Sequence, residues 1–305
     1  MEIVNLKKSD YIETRFNTSI ALGNFDGIHI AHKEIISNNI ETSKKMGLRS
    51  GVLLFDTHTR LTIEGKSPPI ITSKKQKLKI LEELGVDIVY IIEFDKNIMS
   101  LSPEDFIKEI LLRKLNAKSI CVGFDYKFGH KASGDITTLK KLGKMYEFNV
   151  TVIPPIYKKN IISSTKIRNF IKEGKIKSAN NMLGRNYSIL GKVVDGNKMG
   201  HELGFPTANL ETKDNFVIPK NGIYESRIII SGTKYIGATS IGTNPTFQNN
   251  VLKIENHILD FNKNIYAEKI EVEFVRFIRD EIRFTNIEDL KKQIRKDVND
   301  IKFRY

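Results

Sequence analysis

Two histidines, His29 and His32, follow the segment GNFDG at positions 23–27. The apolar run before this segment, SIAL, is typical of a buried parallel strand. The segment after it, AHKEIISNNIETSKKMG, has helical spacing and ends at Gly47. A strand, a tight turn and a helix start aim backbone N–H groups and the positive end of the helix dipole at one point. The pattern therefore predicts a phosphate-binding site beside both imidazoles.

Two plainer interpretations compete with this one. A single histidine near a helix start is usually a polar surface residue or a capping partner. Imidazole pairs are also common zinc ligands, but no Cys, Glu or Asp cluster at ligand spacing near His29 and His32 offers a third and a fourth ligand. Two histidines at this spacing directly after a glycine turn favour a functional role.

The elements that must position these residues alternate along the first part of the chain. After the opening unit, the strand-like segments are RSGVLLF, VDIVYIIEF, KSICVGF and NVTVIP, and the helix-like segments between them are SKKQKLKILEELG, SPEDFIKEILLRKLN and DITTLKKLGKMYEF. Ser102 as N-cap and Pro103 at the first helical position open the second of these helices. Such alternation predicts a mostly parallel sheet, whose ligands bind at the carboxyl ends of the strands. The segments GNFDGIHIAH, FDTHTR, VGFDYKFGHKASGD and ISSTKIRNF follow strands and mark that site.

The pattern changes near LGRNYSILGKVVDG. From there, short strand-like runs are separated by Gly, Asn and Pro turns: YSILGKVV, GIYESRIIIS, KYIGATSIG, LKIENHILDF and EKIEVEFVRFI. They predict a small antiparallel barrel or sandwich, closed by one helix from TNIEDLKKQI in which Thr285 and Glu288 form a capping box. We place the boundary near Gly184 to Asn186, which gives domains 1–184 and 185–305 of ordinary size.

Composition and charge limit the class of protein. The chain has 305 residues, and its 49 Lys and Arg against 36 Asp and Glu give a net charge of +13, which suggests nucleic acid as a partner. The lysines are scattered among acidic residues, however, as in KKQKLKILEELG, so nucleic-acid binding is the weaker interpretation. No run approaches the roughly twenty apolar residues of a membrane span, and the start MEIVNLKKSD has no apolar signal core. A cytoplasmic location is expected, with the single cysteine, Cys121, as a buried strand residue.

The order of motifs resembles a known family. GNFDGIHIAH, VGFDYKFGHKASGD and ISSTKIR, followed by GHELGFPTANL, NGIYES, IGTNPTF and IENHILDF, are similar to the motifs of the bacterial bifunctional riboflavin kinase/FAD synthetases over nearly the full length. The resemblance implies a Rossmann-like nucleotidylyltransferase domain that adenylylates FMN to FAD with release of pyrophosphate. It also implies a small β-barrel kinase domain that phosphorylates riboflavin to FMN. Both domains would use ATP, with Mg²⁺ as the metal ion.

For the first domain, the resemblance implies that His29 and His32 contact the ATP phosphates and stabilise charge in the transition state. Arg168 would complete a second phosphate clamp as a charged fork. The nucleotide-binding residues would be Gly23, Asn24, Phe25, Asp26, Gly27, Ser163, Ser164 and Thr165. Asp125 would contact the flavin. Taken alone, ISSTKIR is an ordinary serine-capped helix start.

For the second domain, the resemblance implies that Glu255 is the catalytic base that takes the proton from the ribityl hydroxyl of riboflavin. Thr207 and Asn209 would hold Mg²⁺ and the ATP phosphates, and Arg279 would lie over the flavin. The loop glycines Gly196, Gly200 and Gly204 would cover the nucleotide phosphates. Without the resemblance, a strand glutamate is usually a solvent-facing residue, and glycines in a β-rich domain are usually turns.

Three positions depart from the family pattern. Ala31 stands where a glycine usually separates the histidines, and Thr57 and Thr59 stand in place of prolines around a histidine. These departures leave open a riboflavin kinase whose adenylyltransferase domain is weakened or inactive. A flavin-responsive regulator that binds nucleic acid, motivated by the charge of +13, is a second alternative. The sequence makes no prediction of the oligomeric state.

Overall fold

The computed structural model describes residues 1–6, 16–56, 68–158, 160–196, 200, 203–243 and 252–305. Thr57 and Thr59, part of the loop between Gly196 and Gly204, and the end of the IGTNPTF motif lie outside the described residues. The chain packs as two compact units. The first is Met1–Pro68 with Lys74–Ser163, and the second is Pro69–Ser73 with Ser164–Tyr305.

The first unit is built on a six-stranded sheet in which every pair is parallel. Its strands β1 to β6 are Glu2–Leu6, Thr18–Leu22, Arg49–Phe55, Ile88–Ile92, Ala117–Gly123 and Asn149–Ile153, in the spatial order β1-β4-β3-β2-β5-β6. The α-helices α1 to α5 are Ile30–Met46, Lys74–Glu83, Lys96–Met99, Pro103–Asp105 and Ile136–Met145. A π-helix, Phe106–Lys114, continues from α4, a 3₁₀ turn spans His130–Ala132, and the short strands β7, Tyr157–Lys158, and β8, Asn160–Ile161, form a two-stranded ribbon.

Burial explains why these runs form central strands. All five residues of β2 and all five of β4 are buried, as expected where helices cover both faces of a parallel sheet. The buried residues form two hydrophobic clusters. One contains Ile20 and Leu22, and the other contains Ala21 and Cys121. Cys121 is 1% exposed, as predicted, and burial raises the pKa of its thiol to about 12.

The second unit is a closed antiparallel barrel in the order β10-β13-β12-β11-β14-β9. The strands β9 to β14 are Tyr187–Val194, Ala208–Glu211, Gly222–Ile230, Thr233–Thr243, Leu252–Ile258 and Lys269–Arg279. The helices α6, Ser164–Lys172, α7, Ile176–Leu183, and α8, Ile287–Lys302, accompany the barrel. The predicted fold class, a parallel-sheet domain followed by a small barrel with a C-terminal helix, is confirmed.

Helix α7 packs against the barrel. Asn180 donates from Nδ2 to the carbonyl of Phe274 over 2.9 Å, and its Oδ1 accepts from the backbone N–H of Tyr187 over 2.8 Å. The segment Pro69–Ser73 also belongs to this unit, through a parallel bridge between Ile70 and Phe216. Packing therefore divides the chain between Ser163 and Ser164, while the domain boundary at Gly184 stays a prediction from the sequence.

The structure corrects the predicted start of α8. Asn286, rather than Thr285, is the N-cap, and its side chain accepts from the backbone N–H of Asp289 over 2.8 Å. Glu288 is therefore not the partner of the cap. The spacing of a capping box recurs one residue later, and asparagine caps helices as well as serine and threonine do.

Candidate active sites

The turn after β2 is held in an unusual backbone conformation. Phe25 has φ 45° and Ile28 has φ 34°, and both side chains are fully buried. Positive φ is costly for non-glycine residues, and most of all for a β-branched one, so packing must enforce it. The Phe25 ring lies against Gly23, where an added Cβ would stand 3.2 Å from the ring. The turn is therefore fixed by buried side chains at the carboxyl end of a central strand.

The two histidines lie together at the start of α1. Their rings stack with centroids 3.6 Å apart and 20° between the planes, and the Phe25 ring meets His32 edge-on at 5.2 Å. His29 is the N-cap of α1, because its Nδ1 accepts from the backbone N–H of His32 over 3.2 Å. In neutral His29 the proton is then on Nε2. The first turn of α1 contains no acidic residue, so no side chain there offsets the positive helix end that attracts anions.

The other predicted residues of the first unit lie at several depths. Asp26 is 2% exposed, whereas Asn24 is exposed at the tip of the turn. Asp125 is exposed just beyond β5, the parallel neighbour of β2, so it lies at the same edge of the sheet as the histidines. Ser163 is the last residue of this unit.

Three members of the predicted phosphate clamp belong to the second unit. Ser164 and Thr165 open α6, and Arg168 lies one turn further along it. Arg168 donates from Nε to the carbonyl of Pro69 over 2.9 Å. The start of α6 thus carries both hydroxyls and a guanidinium, the groups expected of a phosphate clamp.

The second unit contains a pocket of about 360 Å³ between the barrel strands and α8. Its lining includes five predicted site residues and three apolar residues of the C-terminal helix: Gly200, Thr207, Asn209, Glu255, Arg279, Leu290, Ile294 and Val298. Asn209 and Glu255 are direct cross-strand partners on β10 and β13, a relation that places side chains within contact distance. The fold therefore joins residues that are 46 positions apart in sequence, 255 minus 209.

Two of the predicted loop glycines approach these side chains closely. A Cβ on Gly196 would lie 1.9 Å from Nδ2 of Asn209, so no larger residue fits there without moving Asn209. A Cβ on Gly200 would lie 2.6 Å from the carbonyl oxygen of Phe205 and 3.1 Å from Oγ1 of Thr207. Gly204 has φ 82° and open space around it, which indicates a turn. Gly200 lines the pocket, whereas Gly196 does not.

Arg279 is tied to α8. Its Nε donates to both carboxylate oxygens of Asp297 over 3.1 and 3.0 Å, and its Nη2 donates to Oδ2 over 2.6 Å. Gln293 donates to the same carboxylate over 2.9 Å. The side chains of Arg279 and Asp297 are only 18% and 6% exposed. The guanidinium therefore joins β14 to the helix that forms one wall of the pocket.

The chain matches two protein-family models. One described as FAD synthetase covers residues 12–166, and one described as riboflavin kinase covers residues 183–304. A protein of Buchnera aphidicola subsp. Schizaphis graminum, described as bifunctional riboflavin kinase/FMN adenylyltransferase, is 39% identical over 98% of this chain and 96% of its own. Proteins of the same description from Listeria monocytogenes and Escherichia coli K12 are 36% and 34% identical over 94% and 91% of this chain, and over 92% and 90% of their own. The chain belongs to this family.

A solved structure agrees with the family fold. A structure from Streptococcus pneumoniae, described as a macrolide-efflux protein, is similar with a TM-score of 0.91 and 31% identity, covering 99% of each chain. Within the described residues of the present chain, no helix combines the length and apolarity of a membrane span.

The riboflavin kinase/FMN adenylyltransferase matches confirm the predicted family, its two activities and the enzyme class. Because the FAD synthetase model covers most of the first unit, nothing favours the alternative of a kinase with a lost adenylyltransferase. Ala31, one of the departures, is half-buried within α1 between the two histidines.

Sequence reasoning missed Asp297 and His257, which line the pocket of the second unit, and the buried Asn256 between Glu255 and His257. Asp297 pairs with Arg279 across 18 positions, and no local pattern reveals such a partner. Asn256 and His257 were visible beside Glu255 in the motif IENHILDF. Their positions in the predicted strand already indicated that Asn256 and His257 point to opposite faces of it, because successive strand residues alternate.

Proposed function

We propose that the pocket of the second unit is the riboflavin kinase site, in which Glu255 accepts the proton of a ribityl hydroxyl as that oxygen attacks the γ-phosphorus of ATP and ADP leaves. The observation that carries this assignment is the cross-strand pairing of Glu255 with Asn209 inside a pocket that Thr207 also lines. A base must lie within hydrogen-bond reach of the proton that it removes. The apolar residues Leu290, Ile294 and Val298 on α8 offer a surface for the flavin ring, and Arg279 borders it.

The donor set of this pocket fits Mg²⁺. Thr207 and Asn209 would hold the ion with their hydroxyl and amide oxygens, because Mg²⁺ prefers oxygen ligands and takes few from protein beside phosphates and water. The close approach of Gly196 to Asn209 and of Gly200 to Thr207 leaves the backbone, rather than a side chain, beside these ligands. When bound, Mg²⁺ would neutralise charge on the ATP phosphates. The protein orients the hydroxyl and takes its proton.

For the first unit we propose adenylyl transfer at the stacked histidines. A phosphate oxygen of FMN attacks the α-phosphorus of ATP in line, and pyrophosphate leaves without a covalent enzyme intermediate. His29 uses Nδ1 to cap α1. Its Nε2, on the opposite edge of the ring, is therefore directed away from the helix backbone. Backbone N–H groups of the turn and the start of α1 would bind the phosphates, and the imidazoles would stabilise the developing charge. Asp125 would contact the flavin.

The remaining assignments follow from the same scheme. Ser163, Ser164, Thr165 and Arg168 would form the phosphate clamp, and Gly204 would contribute its turn to the nucleotide loop. We keep 1–184 and 185–305 as the proposed domains. A cytoplasmic location agrees with the use of ATP and with a single, buried cysteine.

One assay tests both assignments. The chain is incubated with riboflavin, ATP and Mg²⁺, and the flavins are separated by chromatography. We expect FMN to appear first and FAD to follow. FMN without FAD would contradict the proposed adenylyltransferase site, and no phosphorylation of riboflavin would contradict the kinase site. A shift of RNA or DNA by the chain that weakens with salt would support the nucleic-acid alternative instead.

A further inference from the structure

Two side chains that directly follow Glu255 hold the segment carrying Thr207. Asn256 donates from Nδ2 to the carbonyl of Ala208 over 3.1 Å. Nδ1 of His257 lies 2.9 Å from the carbonyl oxygen of Pro206. Since a carbonyl can only accept, the His257 proton must be on Nδ1 in this contact. The two carbonyls flank Thr207 in sequence, so the segment is held on both sides of that residue.

Asn256 is itself held by a buried hydrogen-bond network inside the barrel. Thr239 Oγ1 lies 2.8 Å from Oδ1 of Asn256 and 2.7 Å from Oγ of Ser226, and all three residues are 0% exposed. The Ala208 carbonyl fixes the donor end of the Asn256 amide, so Oδ1 must accept the proton of Thr239. The single Ser226 proton is then shared between Oγ1 of Thr239 at 2.7 Å and the carbonyl oxygen of Gly237 at 3.1 Å. A buried hydrogen-bonded network of this kind restricts the geometry of its members.

The strand ladders do not reach Thr207. β10 has four residues; it pairs with β13 at two positions, Ala208 with Asn256 and Asn209 with Glu255, and with β9 at three positions from Asn209 onward. Thr207 precedes the strand and is exposed. A ligand that lies beyond the end of a short strand needs support from side chains, because a displacement of about 1 Å at a reacting centre can cost on the order of a hundredfold in rate.

We propose that Asn256 and His257, termed here the carbonyl brace, are positioning residues of the riboflavin kinase reaction. Asn256 holds the Ala208 carbonyl from the inner side of β13, and His257 holds the Pro206 carbonyl from the outer side. Together they fix Thr207 and Asn209 relative to Glu255. The proposal rests on the assignment of the kinase site given above. A brace that only stabilised the barrel would change the melting temperature and leave the dependence of the rate on Mg²⁺ as it is.

The test uses the full chain and compares two substitutions of one residue. His257→Phe keeps an aromatic ring beside Phe205, which the imidazole meets edge-on at 5.5 Å, and removes the N–H. His257→Asn restores an amide N–H near the position of Nδ1. We expect His257→Phe to lower the kcat for riboflavin phosphorylation about tenfold or more and to raise the Mg²⁺ concentration at half-maximal rate, as loss of a supporting ligand contact does. We expect His257→Asn to restore most of the wild-type kcat and of the wild-type Mg²⁺ dependence. The KM for riboflavin should change less than about twofold.

A second, matched pair separates positioning from stability. Asn256→Ala and Asn180→Ala each remove a side-chain amide that donates to a strand carbonyl in the same unit. Asn180 does not line the pocket. We expect both substitutions to lower the melting temperature, and only Asn256→Ala to change kcat and the Mg²⁺ dependence. Formation of FAD from supplied FMN serves as an internal control and is expected to be unchanged in all four variants.

Two results would overturn the brace: a folded His257→Phe chain with wild-type kcat and Mg²⁺ dependence, or equal kinetic losses in Asn256→Ala and Asn180→Ala. If Asn256→Ala does not fold, the two His257 variants still decide. Glu255→Gln and Thr207→Val are measured in parallel. If these two retain kinase activity, the proposed site is wrong and the brace with it. If they are inactive while His257→Phe is wild-type, only the brace is wrong.

Discussion

The two units build their phosphate chemistry in opposite ways. In the first, His29 and His32 lie within ten residues of Gly23, on a turn whose conformation is fixed by the buried Phe25 and Ile28 and on a helix that begins at Ile30. In the second, Asn209, Glu255 and Arg279 come from separate strands of a barrel, and Thr207 directly precedes the first of these strands. A local site depends on backbone geometry, whereas an assembled site depends on side chains that hold strands in register.

The largest expected effect is on phosphoryl transfer to riboflavin, which we assign to the second unit. Glu255→Gln keeps the shape of the side chain and removes the base, so riboflavin phosphorylation should fall about a hundredfold or more. FAD formation from supplied FMN should be retained, because Glu255 belongs to the other unit. Both rates are measured on the same preparation. Near wild-type phosphorylation would show that the base is wrongly assigned.

At the histidine site of the first unit, the chemical role of the imidazoles can be separated from the role of His29 as a helix cap. Loss of a charge-stabilising donor costs roughly 3 kcal/mol in the transition state, so His29→Ala and His32→Ala should strongly reduce FMN adenylylation and spare the kinase. His29→Asn is the matched control for the helix cap. Asparagine caps a helix well, while His29→Ala should also cost about 1 kcal/mol of stability.

Steady-state adenylylation and thermal melting distinguish these variants. We expect His29→Asn to melt like the wild type and yet to be slow in adenylylation. Full activity of His29→Asn would mean that this histidine acts only as a cap. Loss of bound zinc in either alanine variant would revive the metal-site interpretation.

A third test addresses the assembled wall of the kinase pocket. Asp297→Asn removes the charge that faces Arg279 and leaves a half-buried guanidinium without its carboxylate. Breaking a buried pair on one side costs about 3 kcal/mol, so the transition of the second unit should move to lower temperature. Riboflavin binding should weaken with it, because α8 forms that wall. An unchanged melting curve would show that the pair does not fix the helix.

A fourth test asks where the assembled unit begins. The fragment 185–305 carries Thr207, Asn209 and Glu255 and is expected to phosphorylate riboflavin without making FAD. The fragment 164–305 adds α6 and α7, including the Asn180 contacts with the barrel, and should melt at the higher temperature. Calorimetry of both fragments measures their melting temperatures, and the kinase assay shows whether each fragment phosphorylates riboflavin. A folded 185–305 that binds substrates without phosphorylating would place part of the kinase site before residue 185.

The smallest effect concerns the core of the first unit. With its pKa raised to about 12, Cys121 is almost entirely protonated at pH 8, and the thiolate is the reactive form. Iodoacetamide should therefore leave the native chain unmodified and label the denatured one. Mass spectrometry measures both. Rapid labelling of the native chain would show that the first unit opens readily.

Predictions from the sequence succeeded where the signal was local. Alternating strands and helices, the stop at Gly47 and the cap at Ser102 were read correctly, because hydrophobic period and end residues act over a few positions. The edge strand β1 and the four-residue β10 were missed, since short strands carry little periodic signal. The cap of α8 was placed one residue early because Thr285 and Asn286 are both good caps.

The sequence by itself determined the motifs, their order and the residue types of both sites. Tertiary structure decided their partners: which carboxylate faces Arg279, which strand residue lies opposite Glu255, and which carbonyls Asn256 and His257 hold. Hydrogen bonds and ion pairs form between atoms about 3 Å apart, and residues 18 to 51 positions apart meet at that distance only after the barrel has closed. Local motifs therefore specify the residue types of both proposed sites, whereas the fold fixes the relative positions of the residues in the proposed kinase site.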